Sequence, residues 1–79
     1  LYIMTIWLQT GSNQGDRLAQ LKEALHQLSA SGCTLLLASQ VYETAAWGHI
    51  RQADYLNQVL LMDTSLKPAA LLTLCKAIE

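Results

Sequence analysis

Tyr42-Glu43-Thr44-Ala45-Ala46-Trp47-Gly48-His49-Ile50-Arg51-Gln52-Ala53-Asp54-Tyr55-Leu56-Asn57 is the stretch on which the reading of this chain turns. On its N-terminal side, Cys33 to Thr44 is rich in aliphatic and β-branched residues, and on its C-terminal side Tyr55 to Thr64 alternates polar and apolar positions. Both flanks read as strands, joined by a connection longer than a hairpin turn, and long ordered loops tend to carry function. Tyr55 and Asn57 stand two apart on one strand and so share a face. Together they offer a flat ring and an amide that both donates and accepts, a pairing that suits a planar heterocycle.

Working outward, residues 1–10 are aliphatic and aromatic with threonines interspersed, and Gly11 bounds them. The continuous apolar character predicts a first strand that is central in a sheet or covered on both sides. Gly11-Ser12-Asn13-Gln14-Gly15-Asp16 is a cluster of turn formers. Asn13 with Asp16 three residues later has the form of a capping box, which would put the Asp16 carboxylate in the first helical turn. Leu18, Leu21, Leu25 and Leu28 then recur at helical spacing, and Gly32 marks the stop. Beyond the third strand, Pro68 stands where proline is tolerated, at the first position of a helix whose stripe is Leu71, Cys75 and Ile78, flanked by Leu72 and Leu74. The predicted order is strand, helix, strand, strand, helix. It is an α+β arrangement that matches a ferredoxin-like βαββα portion without its closing strand.

In that topology the absent strand would pair with the first, leaving an apolar edge from Tyr2 to Leu8 and predicting a strand-swapped or edge-paired oligomer. The 79 residues make at most one small domain. Their net charge of -1 provides no electrostatic basis for binding nucleic acid or an anionic membrane. No apolar run approaches the roughly 18 residues that a membrane-spanning helix needs, and residues 1–8 lack the basic region of a secretory signal. Cys33 and Cys75 fall in apolar patterns without metal-ligand spacing and read as buried thiols. A cytoplasmic, reduced protein is expected.

Taken with Gly11-Ser12-Asn13 and Ala77-Ile78-Glu79, the string Ser39-Gln40-Val41-Tyr42-Glu43-Thr44, Trp47-Gly48 and Asp54-Tyr55-Leu56-Asn57 resembles the N-terminal half of the 6-hydroxymethyl-7,8-dihydropterin pyrophosphokinases of the folate pathway. The likeness implies that residues 1–79 are the N-terminal portion of a single pyrophosphokinase domain. Enzymes of that family move pyrophosphate from ATP to the hydroxymethyl oxygen of the pterin and release AMP. By resemblance, Thr44, the backbone at Ala45, Trp47, Tyr55 and Asn57 form the pterin pocket, Asn13 supports it or only caps the helix, and Glu79 and Lys76 lie on the nucleotide side. Tyr55 as core packing, Asn57 as a surface strand residue and Glu79 as a frayed terminal charge stay open. Ala45 and Ala46 stand where many members carry proline, so the loop is expected to be less rigid before ligand binds.

The resemblance implies ATP and Mg2+ in the complete enzyme. Pyrophosphoryl transfer needs paired carboxylates for the cation and arginines for the phosphates. The acids Asp16, Glu23, Glu43, Asp54, Asp63 and Glu79 include no Asp-x-Asp pair, and the arginines are Arg17 and Arg51 alone. The family's metal aspartates and arginine-rich loop lie downstream of its Ile-Glu pair. No catalytic residue and no metal ligand is therefore expected within these residues, and the fragment alone is not expected to turn over ATP. The other reading from another class is a non-catalytic ferredoxin-like binding or oligomerisation module that takes a partner by strand addition.

Overall fold

A computed structural model describes residues 2–46 and 53–79. Its elements follow the order β1 (Met4–Ser12), α1 (Arg17–Ala30), β2 (Cys33–Ala38), β3 (Tyr42–Thr44), β4 (Tyr55–Thr64) and α2 (Pro68–Ile78). The sheet is antiparallel, with β4 between β1 on one side and both β2 and β3 on the other. This is the α+β class read from the sequence. Among the described residues the outer edge of β1 has no strand beside it.

The single predicted strand over Cys33–Thr44 is two strands. Both lie along the same side of β4 and are separated at Ser39–Val41. Ser39 turns the break into a joint. Its backbone N–H donates to the Val59 carbonyl at 2.8 Å, while its Oγ accepts from the Val59 N–H at 2.9 Å in place of a backbone carbonyl. Gln58 Nε2 donates to the Ser39 carbonyl at 3.0 Å. A hydroxyl that can stand in for a ladder group satisfies the neighbouring strand while the chain changes course.

The start of α1 also differs from the capping box read around Asn13. Asp16 is the N-cap, and its carboxylate accepts from the Ala19 N–H at 3.1 Å. The turn after Asn13 is completed by Gly15 at φ 59°, a conformation open to glycine, so helical geometry begins only at Arg17. Asp16 is thus the cap itself and not a first-turn carboxylate. At the other end Gly32, at φ 99°, reverses the chain into β2. Lys67 caps α2 without a side-chain bond, and Pro68 opens it, as the sequence suggests.

Both helices lie on one face of the sheet. Leu60 and Met62 of β4 are fully buried there, with Leu28, Cys33, Ile6, Leu8, Leu25, Leu71, Leu74 and Ile78 packed around them. Of the two flanking leucines in α2, Leu74 joins this core and Leu72 is exposed. Thr64 closes the core's far end: its buried hydroxyl donates to the Gly32 carbonyl at 2.9 Å and accepts from the Leu66 N–H at 3.1 Å.

Among the described residues the opposite face is uncovered and β1 is an edge strand, contrary to the expectation that β1 is central or covered on both sides. Trp7 and Leu37 both stand opposite Leu61, one from each neighbouring strand, and are 68% and 64% exposed. The cause is the number of layers: two helices cover one face of a sheet, and the order of elements sends both to the same side.

Candidate functional site

Asn57 sits where three strands meet. Gly11 of β1 is its register partner on one side and Tyr42 of β3 on the other. The side chain is only 6% exposed. Its Nδ2 donates to Thr44 Oγ1 at 2.8 Å and, at 3.4 Å each, to the backbone carbonyls of Tyr42 and Tyr55. Carbonyl oxygens only accept, so they settle which end of the amide faces them. The nitrogen is turned into β3, and the oxygen is turned toward β1.

Gly11 makes room for that oxygen. A Cβ there would stand 3.1 Å from Asn57 Oδ1 and 3.8 Å from Cδ1 of the Tyr55 ring. Glycine in the middle of a strand pairing often marks such a close approach. Asn57, Thr44 and Tyr55 accordingly form one unit with the bare backbone of Gly11.

Around the end of β1 a hollow of about 460 Å³ opens between the strand's outer edge and the two helices. Gly11, Asn13, Gln14, Tyr55, Cys75 and Glu79 are among the residues that line it. Burial, then the nearby Cys33 and Glu79, push the Cys75 thiol above its ordinary range. A thiol so placed stays protonated near neutrality and is a poor nucleophile.

Of the residues singled out from sequence, Asn13, Tyr55 and Glu79 meet around this hollow. Thr44 and Asn57 are bonded to each other beside it, and Tyr55 belongs to both groups. Ala45 is exposed just past the end of β3. Lys76 is exposed in the last turn of α2 and does not line the hollow. Trp47, with His49 and Arg51, lies outside the described residues.

Sequence reasoning overlooked Gly11, read only as part of a turn, and Arg17, placed merely off the apolar stripe. The signal for Gly11 was no more than a glycine at the end of a strand pattern, and its register with Asn57 comes from the structure. Arg17 had no such signal, since its Nη1 donates to the carbonyl of Asp54, 37 positions away, at 2.8 Å. Among the described residues no group of three or more His, Cys, Asp or Glu side chains could hold a metal ion, and no helix is long and apolar enough to cross a membrane.

The model of the 7,8-dihydro-6-hydroxymethylpterin-pyrophosphokinase family matches residues 7–79. Proteins named 2-amino-4-hydroxy-6-hydroxymethyldihydropteridine pyrophosphokinase are similar to this chain. The protein from Porphyromonas gingivalis is 39% identical over 74 residues, which cover 94% of this chain and 50% of that protein. The one from Aquifex aeolicus is 40% identical over 75 residues, 95% of this chain and 46% of the relative. A Mycobacterium bovis protein of the same name is 45% identical over 56 residues, 71% of this chain and 28% of its own length. The chain thus spans about half the length of the first two. With almost all of its residues inside the match, this chain belongs to the 7,8-dihydro-6-hydroxymethylpterin-pyrophosphokinase family.

Proposed function

We propose that this chain is the pterin-binding half of a folate-biosynthesis enzyme that transfers pyrophosphate from ATP to 6-hydroxymethyl-7,8-dihydropterin, releasing AMP. The observation that carries the reading is the buried Asn57 amide, oriented by Thr44 and two carbonyls, with Gly11 bare beside its oxygen and the Tyr55 ring adjoining. A pterin is flat and edged with hydrogen-bonding groups. Such a ring needs an aromatic or apolar wall and a few fixed polar groups, because each polar edge left unpaired costs about 1–3 kcal/mol. Orientation before binding also removes the entropy cost of fixing the amide.

The role of these residues is to hold and aim the pterin. Tyr55 supplies the wall, Asn57 and Thr44 fix the ring's rotation, and Asn13 and Glu79 bound the adjoining hollow. Trp47 and the backbone at Ala45 are assigned to the same pocket, and Lys76 with Glu79 to the nucleotide side, on the family resemblance.

ATP is the proposed co-substrate and Mg2+ its counter-ion, but the acids of this half do not fit a cation site. Asp16 caps α1, Asp63 accepts from Thr5 Oγ1 at 2.6 Å, and Glu43 faces Arg17 at 3.7 Å. No step of phosphoryl chemistry is assigned to them. The two free cysteines support a cytoplasmic setting.

The test is a titration of the 79-residue chain with 6-hydroxymethylpterin, followed by tyrosine and tryptophan fluorescence, with sedimentation run in parallel. Quenching by the pterin but not by ATP alone is expected, and Asn57→Ala should weaken it by about tenfold or more. Indifference to pterin, with association that grows with concentration, would instead favour a module that pairs through the outer edge of β1.

A further inference from the structure

The site is made of two parts that the sheet joins only up to Ser12, where β1 ends opposite Leu56. Beyond that point the turn carrying Asn13 and the start of β4 at Tyr55 are no longer joined by strand pairing between β1 and β4. Arg17 spans the gap. It is the first residue of α1; its Nη1 donates to the Asp54 carbonyl at 2.8 Å and stands 3.7 Å from the Glu43 carboxylate of β3. Glu43 pairs with Leu56, so its side chain lies on the helix face of the sheet, away from Tyr42 and Thr44.

We propose that Arg17 is a positioning residue of the pterin site: it holds the Asn13–Asp16 turn against the start of β4, so that Asn13 and Tyr55 face one hollow. This rests on the pterin-binding reading above. The bond to Asp54 is the working part. An arginine donor on a carbonyl is charge-assisted and directional, whereas the Glu43 pair is longer and both side chains are partly exposed, at 30% and 58%. Both contacts are made by the one nitrogen Nη1, and a lysine, a compact charge without the planar guanidinium, would meet them only in part.

The test compares the 79-residue chain with Arg17→Ala, Arg17→Lys and Glu43→Gln by amide hydrogen exchange without ligand and by pterin titration. In Arg17→Ala, exchange at Asn13, Gly15 and Tyr55 should speed up about tenfold, as for loss of one charge-assisted bond, while Leu60 to Met62 keep their protection. Pterin affinity should fall by about the same factor, Arg17→Lys should restore part of it, and Glu43→Gln should change little. Unchanged exchange at those three amides in Arg17→Ala would overturn the inference, as would acceleration spread equally over Leu60 to Met62. Accelerated local exchange in a chain that binds no pterin at all would uphold the clamp and sink the functional reading alone.

Discussion

The two faces of the one sheet obey different rules. On the helix face, Leu60 and Met62 are fully buried among apolar side chains, with Thr64 closing the far end, so position there is set mainly by packing. On the other face, Trp7 and Leu37 flank Leu61 in the open, and a few residues along the same strand Asn57 is buried by hydrogen bonds instead. Strand β4 carries both patterns because its side chains alternate. Its even positions from Leu56 to Thr64 face the helices, and its odd positions from Tyr55 to Asp63 face away from them.

The contrast can be broken most severely at Leu60. Leu60→Ala should cost about 3 kcal/mol, within the span of about 2–5 seen for buried leucines, as read by urea unfolding. A loss below about 1 kcal/mol would show that the helices do not pack as described. The next effect is smaller and sits on the opposite face. Gly11→Ala should cost about 1–2 kcal/mol, because the added methyl group forces Asn57 to shift, and pterin binding should weaken with it. Stability and binding unaffected by this change would remove the close approach from the account of the site.

Trp7→Thr sharpens the same comparison from its exposed end. Threonine suits a strand, and little burial is lost, so stability should move by no more than about 0.5 kcal/mol. If it falls as far as in Leu60→Ala, the outer face is covered after all.

The smallest effect is a pH dependence. The Cys75 thiol is raised above 9.0 in the folded chain, mainly by burial. Protonation is thus favoured by folding. The contribution of Cys75 is complete below the unfolded value and is lost as pH rises past it toward the folded one. Between neutral and alkaline pH the parent chain should lose slightly more stability than Cys75→Ala. Parallel curves for the two would rule this out.

Local signals explain what could be read in advance. The stripe Leu18-Leu21-Leu25-Leu28, Pro68 at a helix start and the alternation through Leu60 and Met62 were each legible locally, and all reappear in the structure except that Leu18 is exposed. Tyr55 and Asn57 could be paired for the same reason. Where several local solutions compete, the pattern was less informative. Asn13 and Asp16 are both good caps, and the left-handed Gly15 between them decided for Asp16. Ser39 looked like one more strand residue until its hydroxyl was found replacing a ladder group.

The sequence by itself determined the family and, apart from the break at Ser39, the order of strands and helices, since these depend on periodicity and on side-chain chemistry. Only the tertiary structure decided that both helices cover one face, that Gly11 leaves room for the Asn57 oxygen, and that Arg17 reaches Asp54. Those relations join residues tens of positions apart, and nothing in the local chain distinguishes an arginine that bridges two segments from one that points into water.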